Sequence, residues 1–283
     1  MKELKIRFVG DSCLEFPDDF KKKYECINVP LTIEIGDYTL VDDESFDQAD
    51  FLKRVDEYPK CPKSSCPSPE MFLKAYDCDA DVIFVSTLSA QLSGSYNSAM
   101  LAKKLYEEEK GQEKKIHVFD SCSASGGEMQ VLLKAADCME KGLSFEEAVE
   151  KTEDFLRNEL KTYFVLESLE ALRKNGRLSR LKTIAATALN IKPVCAGDRG
   201  AIVQVALARG MKSALSRMID ISLEKVKNTE ERILFITHCN CRKRAEEVLS
   251  AYLSKAKFAK NYILDTAGIS SLYAGNGGII VTM

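Results

Sequence analysis

The chain has 283 residues, a formal net charge of -3, 29% charged and 45% hydrophobic residues. A near-balanced charge excludes a general nucleic-acid binder, which needs a basic surface, and no apolar run approaches the roughly 20 residues of a membrane helix. The length suffices for a sizeable core and suggests two domains.

The opening MKELKIRFVGDS is charged and runs straight into a strand pattern at 4–9, unlike a signal peptide. Without an export signal, the ten cysteines read as reduced thiols and the protein as cytoplasmic. CINVPLTIEIGDYTL (26–40) reads as extended chain with a hairpin turn at Gly36-Asp37. A helix is expected from Ser45, and another after Ser68, with Ser68 as N-cap and Pro69 in its first turn. DVIFVS (81–86) reads as a buried strand, followed by a serine-rich loop and a helix through residue 110. KIHVFD (115–120) is the next strand. Ser144 with Glu147 forms a capping-box pattern that opens a further helix.

KTYFVL (161–166) begins a second series, whose other clear strands are AIVQVALA (201–208), ERILFITH (231–238) and GGIIVTM (277–283). The alternation predicts two α/β domains, 1–160 and 161–283, with largely parallel sheets. Asp-Ser-Cys recurs at two predicted strand ends, 11–13 and 120–122. Parallel sheets bind ligands beyond the carboxyl ends of their strands, but Asp and Ser also commonly cap turns there.

Three chemistries can be tested on these residues. GDS after the first strand resembles an esterase nucleophile block with Ser12 attacking, but the D-x-x-H base of such enzymes is missing. His117 has Lys114 three residues before it, and His238 has Phe235. His238, Cys239 and Cys241 have C-x-C rather than C-x-x-C spacing, so a strand end running into a helix is favoured over a metal site. No P-loop and no G-x-G-x-x-G occurs.

The loop STLSAQLSGSYNSA (86–99) supplies hydroxyls where a helix begins. A helix N-terminus binds anions through its unpaired N–H groups, and Gly94 would admit one close to the backbone. With no Arg or Lys in the loop, the expected anion is a carboxylate rather than a phosphate. The competing reading is that these serines only cap the helix.

Further motifs are VGDSCLEFP, SSCPSPEMF (64–72), DSCSASGGE (120–128), ESLEALRKNGRLSR (167–180), IKPVCAGDRGAI (191–202) and a glycine-rich C-terminus. With the serine loop, and in this order, they resemble the DegV family, the fatty-acid-binding component of bacterial fatty acid kinase. The resemblance implies two α/β domains and an apolar tunnel ending in a cleft near their interface. The ligand it implies is a fatty acid of roughly sixteen to eighteen carbons, held by burial of its methylenes. It implies no catalysis by this chain and no cofactor. The carboxylate would be presented to a separate ATP-dependent kinase, which makes an acyl phosphate for phospholipid synthesis.

The family's T-S-x-P-S falls on Ser64-Ser65-Cys66-Pro67-Ser68, so Ser64 takes the carboxylate-contacting place. Its S-G-T-Y falls on Ser93-Gly94-Ser95-Tyr96, with Ser93 as a ligand. Its G-G-R-[IL]-S falls on Asn175-Gly176-Arg177-Leu178-Ser179, directing Arg177 toward the head group. Where many members have the histidine of H-x-G-P-G, this chain has Tyr273. A phenol keeps a hydrogen-bond donor but stays neutral to about pH 10.

Overall fold

The structure, a computed structural model, describes residues 4–111, 113–178 and 190–283. The first half supplies β1 (Ile6–Asp11), α1 (Asp18–Lys23), β2 (Glu25–Val29), β3 (Thr32–Ile35), β4 (Tyr38–Val41), α2 (Gln48–Glu57) and β5 (Lys63–Ser65). It continues with α3 (Pro69–Tyr76), β6 (Val82–Thr87), α4 (Ser95–Lys110), β7 (Lys115–Asp120), α5 (Gly126–Glu140) and α6 (Phe145–Asn158).

β1, β2, β6 and β7 form a wholly parallel sheet in the order β2-β1-β6-β7. Alternate side chains separate its faces. Val9, Ile83, Val85 and Val118 pack against Phe72 and Tyr76 of α3 and Ala99, Ala102 and Tyr106 of α4. Phe8, Phe84 and Phe119 point the other way, into a cluster with Met129, Leu132 and Ala135 of α5 and Ala148 of α6. β3, β4 and β5 make a separate antiparallel sheet. Gly36, at φ 64°, takes the first position of its two-residue turn, as the hairpin reading expects.

The second half supplies β8 (Thr162–Val165), α7 (Glu170–Lys174), β9 (Ile191–Asp198), β10 (Ala201–Arg209), α8 (Met211–Lys225), β11 (Ile233–His238), α9 (Arg242–Leu253), β12 (Lys260–Asp265), α10 (Gly268–Ala274) and β13 (Ile279–Thr282). Its six-stranded sheet has the order β10-β9-β8-β13-β11-β12. Tyr163, Val165, Ile236 and Val281 face α8 and α9, whereas Phe164 and Cys195 lie in a cluster with Leu166, Leu172 and Ile202.

Two expectations change. The second sheet is not largely parallel: only β11–β12 is, and the other four of its five pairings are antiparallel. β9 and β10 are joined by Arg199 (φ 48°) and Gly200 (φ 81°), the two left-handed residues of a tight antiparallel hairpin. Second, α2 starts at Gln48, not Ser45. Asp47 is its N-cap and accepts from Asp50 N at 2.9 Å, while Ser45 Oγ donates back to Asp43 at 2.6 Å.

Candidate functional site

The repeated Asp-Ser-Cys explains how the serine loop is held. Asp11 ends β1 and Asp120 ends β7, the two strands that flank β6. Asp11 accepts from Leu88 N at 2.9 Å and Asp120 from Ala90 N at 3.0 Å. Each also accepts from the N–H two residues on, Cys13 at 3.0 Å and Cys122 at 3.1 Å, the turn-forming habit of aspartate. Ser89 Oγ then donates to Gly200 O at 2.7 Å, joining the loop to the β9–β10 hairpin. The capping reading is therefore right for Asp11 and Asp120. Ser12 is buried, with Oγ accepting from Leu31 N at 3.0 Å. No histidine is among its hydrogen-bond partners among the described residues, so it lacks a nucleophile's base.

The loop delivers Ser93 and Gly94 to the start of α4, with Gly94 in the N-cap position. Ser93 Oγ accepts from Ser95 N at 3.2 Å and lies 3.1 Å from Ser95 Oγ. Ser98 N bonds to Gly94 O at 3.0 Å, so the N–H groups of the first turn precede the helical ladder. Gly94 has an ordinary φ of -80°. Glycine is needed because a Cβ there would lie 2.8 Å from Cys66 Sγ. Cys66, two residues beyond Ser64, thus packs against Gly94.

Ser64, on β5, shares a 2.8 Å hydrogen bond with the hydroxyl of Tyr273 on α10. Burial pushes the Tyr273 phenol up, against the opposing effects of Ser64 and Arg177. Arg177 arrives by a helix-ending turn: Gly176 (φ 75°) follows α7, Arg177 N bonds to Leu172 O at 2.8 Å and Gly176 N to Arg173 O at 3.1 Å. This is the Schellman pattern. This Asn-Gly cap turns Arg177 inward. The guanidinium carbon lies 5.5 Å from the centre of the Tyr273 ring, and Nε donates to Leu92 O at 3.2 Å. Ser64, Tyr273, Arg177 and the Leu92–Gly94 segment thus form one connected polar group. Ser179 lies outside the described residues.

Behind this group is a cavity of about 760 Å³, including its opening to solvent. Its wall includes Tyr273 and Arg177, with Leu92, Leu172, Phe164 and Ile202. Cys13, Leu88 and Ala124 come from the first half of the chain, and Ala201, Ile269 and Ile280 from the second. These apolar positions are scattered along both halves and carry no motif, so sequence reading missed them.

Sequence reading also missed the support of α10. Buried Asp42 accepts from Gly268 N and Ile269 N, each at 2.7 Å. Glu15 accepts from Ser125 Oγ at 2.8 Å and from Ala267 N at 3.4 Å. Burial raises Asp42 to about 6 and Glu15 to about 8, and pushes Asp11 and Glu128 up as well. Tyr273 therefore stands on a short helix fastened to buried carboxyl groups.

The family model described as "Uncharacterised protein, DegV family" matches residues 5–282. The chain belongs to the DegV family. A DegV domain-containing protein of Streptococcus pneumoniae strain R6 is 37% identical over 260 residues, 90% of this chain and 89% of the relative. The crystal structure of a DegV family protein from Ruminococcus gnavus, refined with vaccenic acid, matches with a TM-score of 0.95 and 47% identity, covering 99% of this chain and 100% of that one. The fatty acid kinase B3 protein of Streptococcus pneumoniae, loaded with linoleic acid, matches with a TM-score of 0.84 and 32% identity over 99% of both chains. Within this DegV chain, no helix among the described residues is long and apolar enough to cross a membrane.

Proposed function

We propose that this protein binds a long-chain fatty acid with its acyl chain in the cavity. Its carboxylate lies at Ser64, Ser93, Gly94, Tyr273 and Arg177. The observation that carries this reading is an apolar cavity whose wall includes Tyr273 and Arg177, with Ser64 hydrogen-bonded to the Tyr273 hydroxyl. The fatty acids held by the Ruminococcus and Streptococcus relatives support it. Burying one methylene contributes about 0.8 kcal/mol, so roughly fifteen supply on the order of 10 kcal/mol before association costs. The head group then needs hydrogen bonds chiefly because an unpaired buried carboxylate is costly.

The chain acts as a carrier and presents the carboxylate to a separate ATP-dependent kinase in the cytoplasm. We read 1–160 and 161–283 as its two domains. In support, the described strands of the six-stranded sheet all follow residue 161, and those of the other two sheets end at Asp120.

Calorimetry on delipidated protein tests the binding. Octadecenoic and hexadecanoic acids should bind stoichiometrically. No binding of either, with binding of a short or phosphorylated acid, would falsify the reading. Acyl phosphate should form from ATP only when a fatty acid kinase subunit is added, and turnover by this chain alone would rule out a pure carrier.

A further inference from the structure

Ser123 and Thr162 are hydroxyl-bearing residues of the cavity wall, and Thr162 opens β8. On β8, Thr162 and Phe164 share a face, and Leu166 continues their line into the cavity wall. Phe164, Leu166 and Leu172 belong with Tyr273 to one cluster, and Thr162 lies outside it. The two-residue step from Phe164 back to Thr162 covers ~7 Å of strand. Ser123 follows the end of β7 and meets Thr162 from the opposite half of the chain. Their oxygens are 2.6 Å apart. Both residues are more than nine-tenths buried, at 5% and 8% exposure.

This pair is incompletely satisfied. Two hydroxyls bring two protons, and a single O···O contact uses one. Neither oxygen has another hydrogen-bond partner among the described residues. Ser123 N bonds to Ser121 Oγ, which leaves the Ser123 side chain uninvolved. One O–H donor and several lone pairs therefore remain in a wall that is otherwise mostly carbon, where an unmet polar group is unfavourable.

We propose that Ser123 and Thr162 form a second polar subsite that receives a hydroxyl or keto oxygen carried by the acyl chain. The inference rests on the fatty-acid reading of the same cavity. A ligand hydroxyl accepts the spare proton and donates to the other oxygen, completing a three-membered chain of hydrogen bonds. An extended chain advances ~1.2 Å per bond, so ~7 Å corresponds to about six bonds beyond the residues that pack with Tyr273. The oxygen is therefore expected well down the chain from the carboxylate, and two mid-chain positions bracket it.

The test compares octadecanoic, 10-hydroxyoctadecanoic and 12-hydroxyoctadecanoic acids by calorimetry on delipidated protein. At least one hydroxy acid should bind as tightly as octadecanoic acid or more tightly. In a Ser123→Ala, Thr162→Val double variant, which nearly keeps the shape of both side chains, that hydroxy acid should weaken about tenfold or more. Octadecanoic acid should stay within about threefold, which also reports that the variant is folded. If both hydroxy acids bind the unmutated protein over tenfold more weakly than octadecanoic acid, the subsite is excluded without any variant. An unchanged hydroxy-to-plain ratio in the double variant excludes it too. If octadecanoic acid itself does not bind the unmutated protein, the fatty-acid reading falls and this inference falls with it.

Discussion

Tyr273 is the residue at which the proposed head-group site is most directly tested. Its hydroxyl is shared with Ser64, and its ring lies under Arg177. Tyr273→Phe keeps the ring and removes the donor. A hydrogen bond to a charged oxygen is worth roughly 1.5–3 kcal/mol, so affinity for octadecanoic acid should fall about ten- to a hundredfold, with the circular dichroism spectrum unchanged. Unaltered affinity would make Tyr273 a packing residue only. Ser93 and Ser98 give a matched pair. Ser93 sits at the start of α4, and Ser98 lies inside it. Ser93→Ala should weaken binding more than Ser98→Ala in the same titration, and equal losses would remove Ser93 from the site. These candidate residues could be named from the sequence because they fall in short motifs. The reason for Gly94 was not legible, because Cys66 Sγ reaches it from a separate loop.

At the scale of elements, α10 depends on carboxyl groups that hold their protons unusually well. Burial lifts Glu15 from 4.5 to about 8. The folded state therefore binds this proton more tightly than the unfolded chain does. The resulting stability is fully present below the unfolded value and is lost as pH rises through about 8. Asp42 does the same over a lower window, ending near 6. His238 has the opposite sign, since burial lowers it, but it is neutral in both states above about pH 7. Between about pH 7 and 8, denaturant melts should show stability falling by up to ~1.4 kcal/mol per pH unit from Glu15. Glu15→Gln should flatten that slope, and an equally steep slope in the variant would assign it to other groups. The strands themselves were mostly legible from their apolar runs, but their directions were not, since an apolar run reads alike whichever way it pairs. β9 was hidden by Pro193. The proline is tolerated because it pairs with Leu207 of β10, while β8 meets β9 only at Cys195 and Ala196. α5 was hidden because most of its residues are buried, leaving no polar face to mark its period.

At the scale of the molecule, α5 joins the two halves. It packs on β6 of the parallel sheet and on β11 and β13 of the mixed one. Phe235 of β11 lies in one continuous core with Phe8, Phe84 and Phe119. A Cβ on Gly126 would come within 2.8 Å of Phe235 Cβ and 3.1 Å of Thr282 Oγ1. Scanning calorimetry should therefore record one unfolding transition for both halves. Gly126→Ala should lower that single transition, with an overpacking cost of about 1–3 kcal/mol. Two separate transitions, of which the variant moves only one, would mean that the halves are energetically independent. The cavity lies on this same seam, with Leu88 and Ala124 on one side and Phe164 and Ile280 on the other. An acyl chain laid there is mortar between two blocks, touching both. Its binding should then raise the single transition of both halves together, rather than stabilising one half alone.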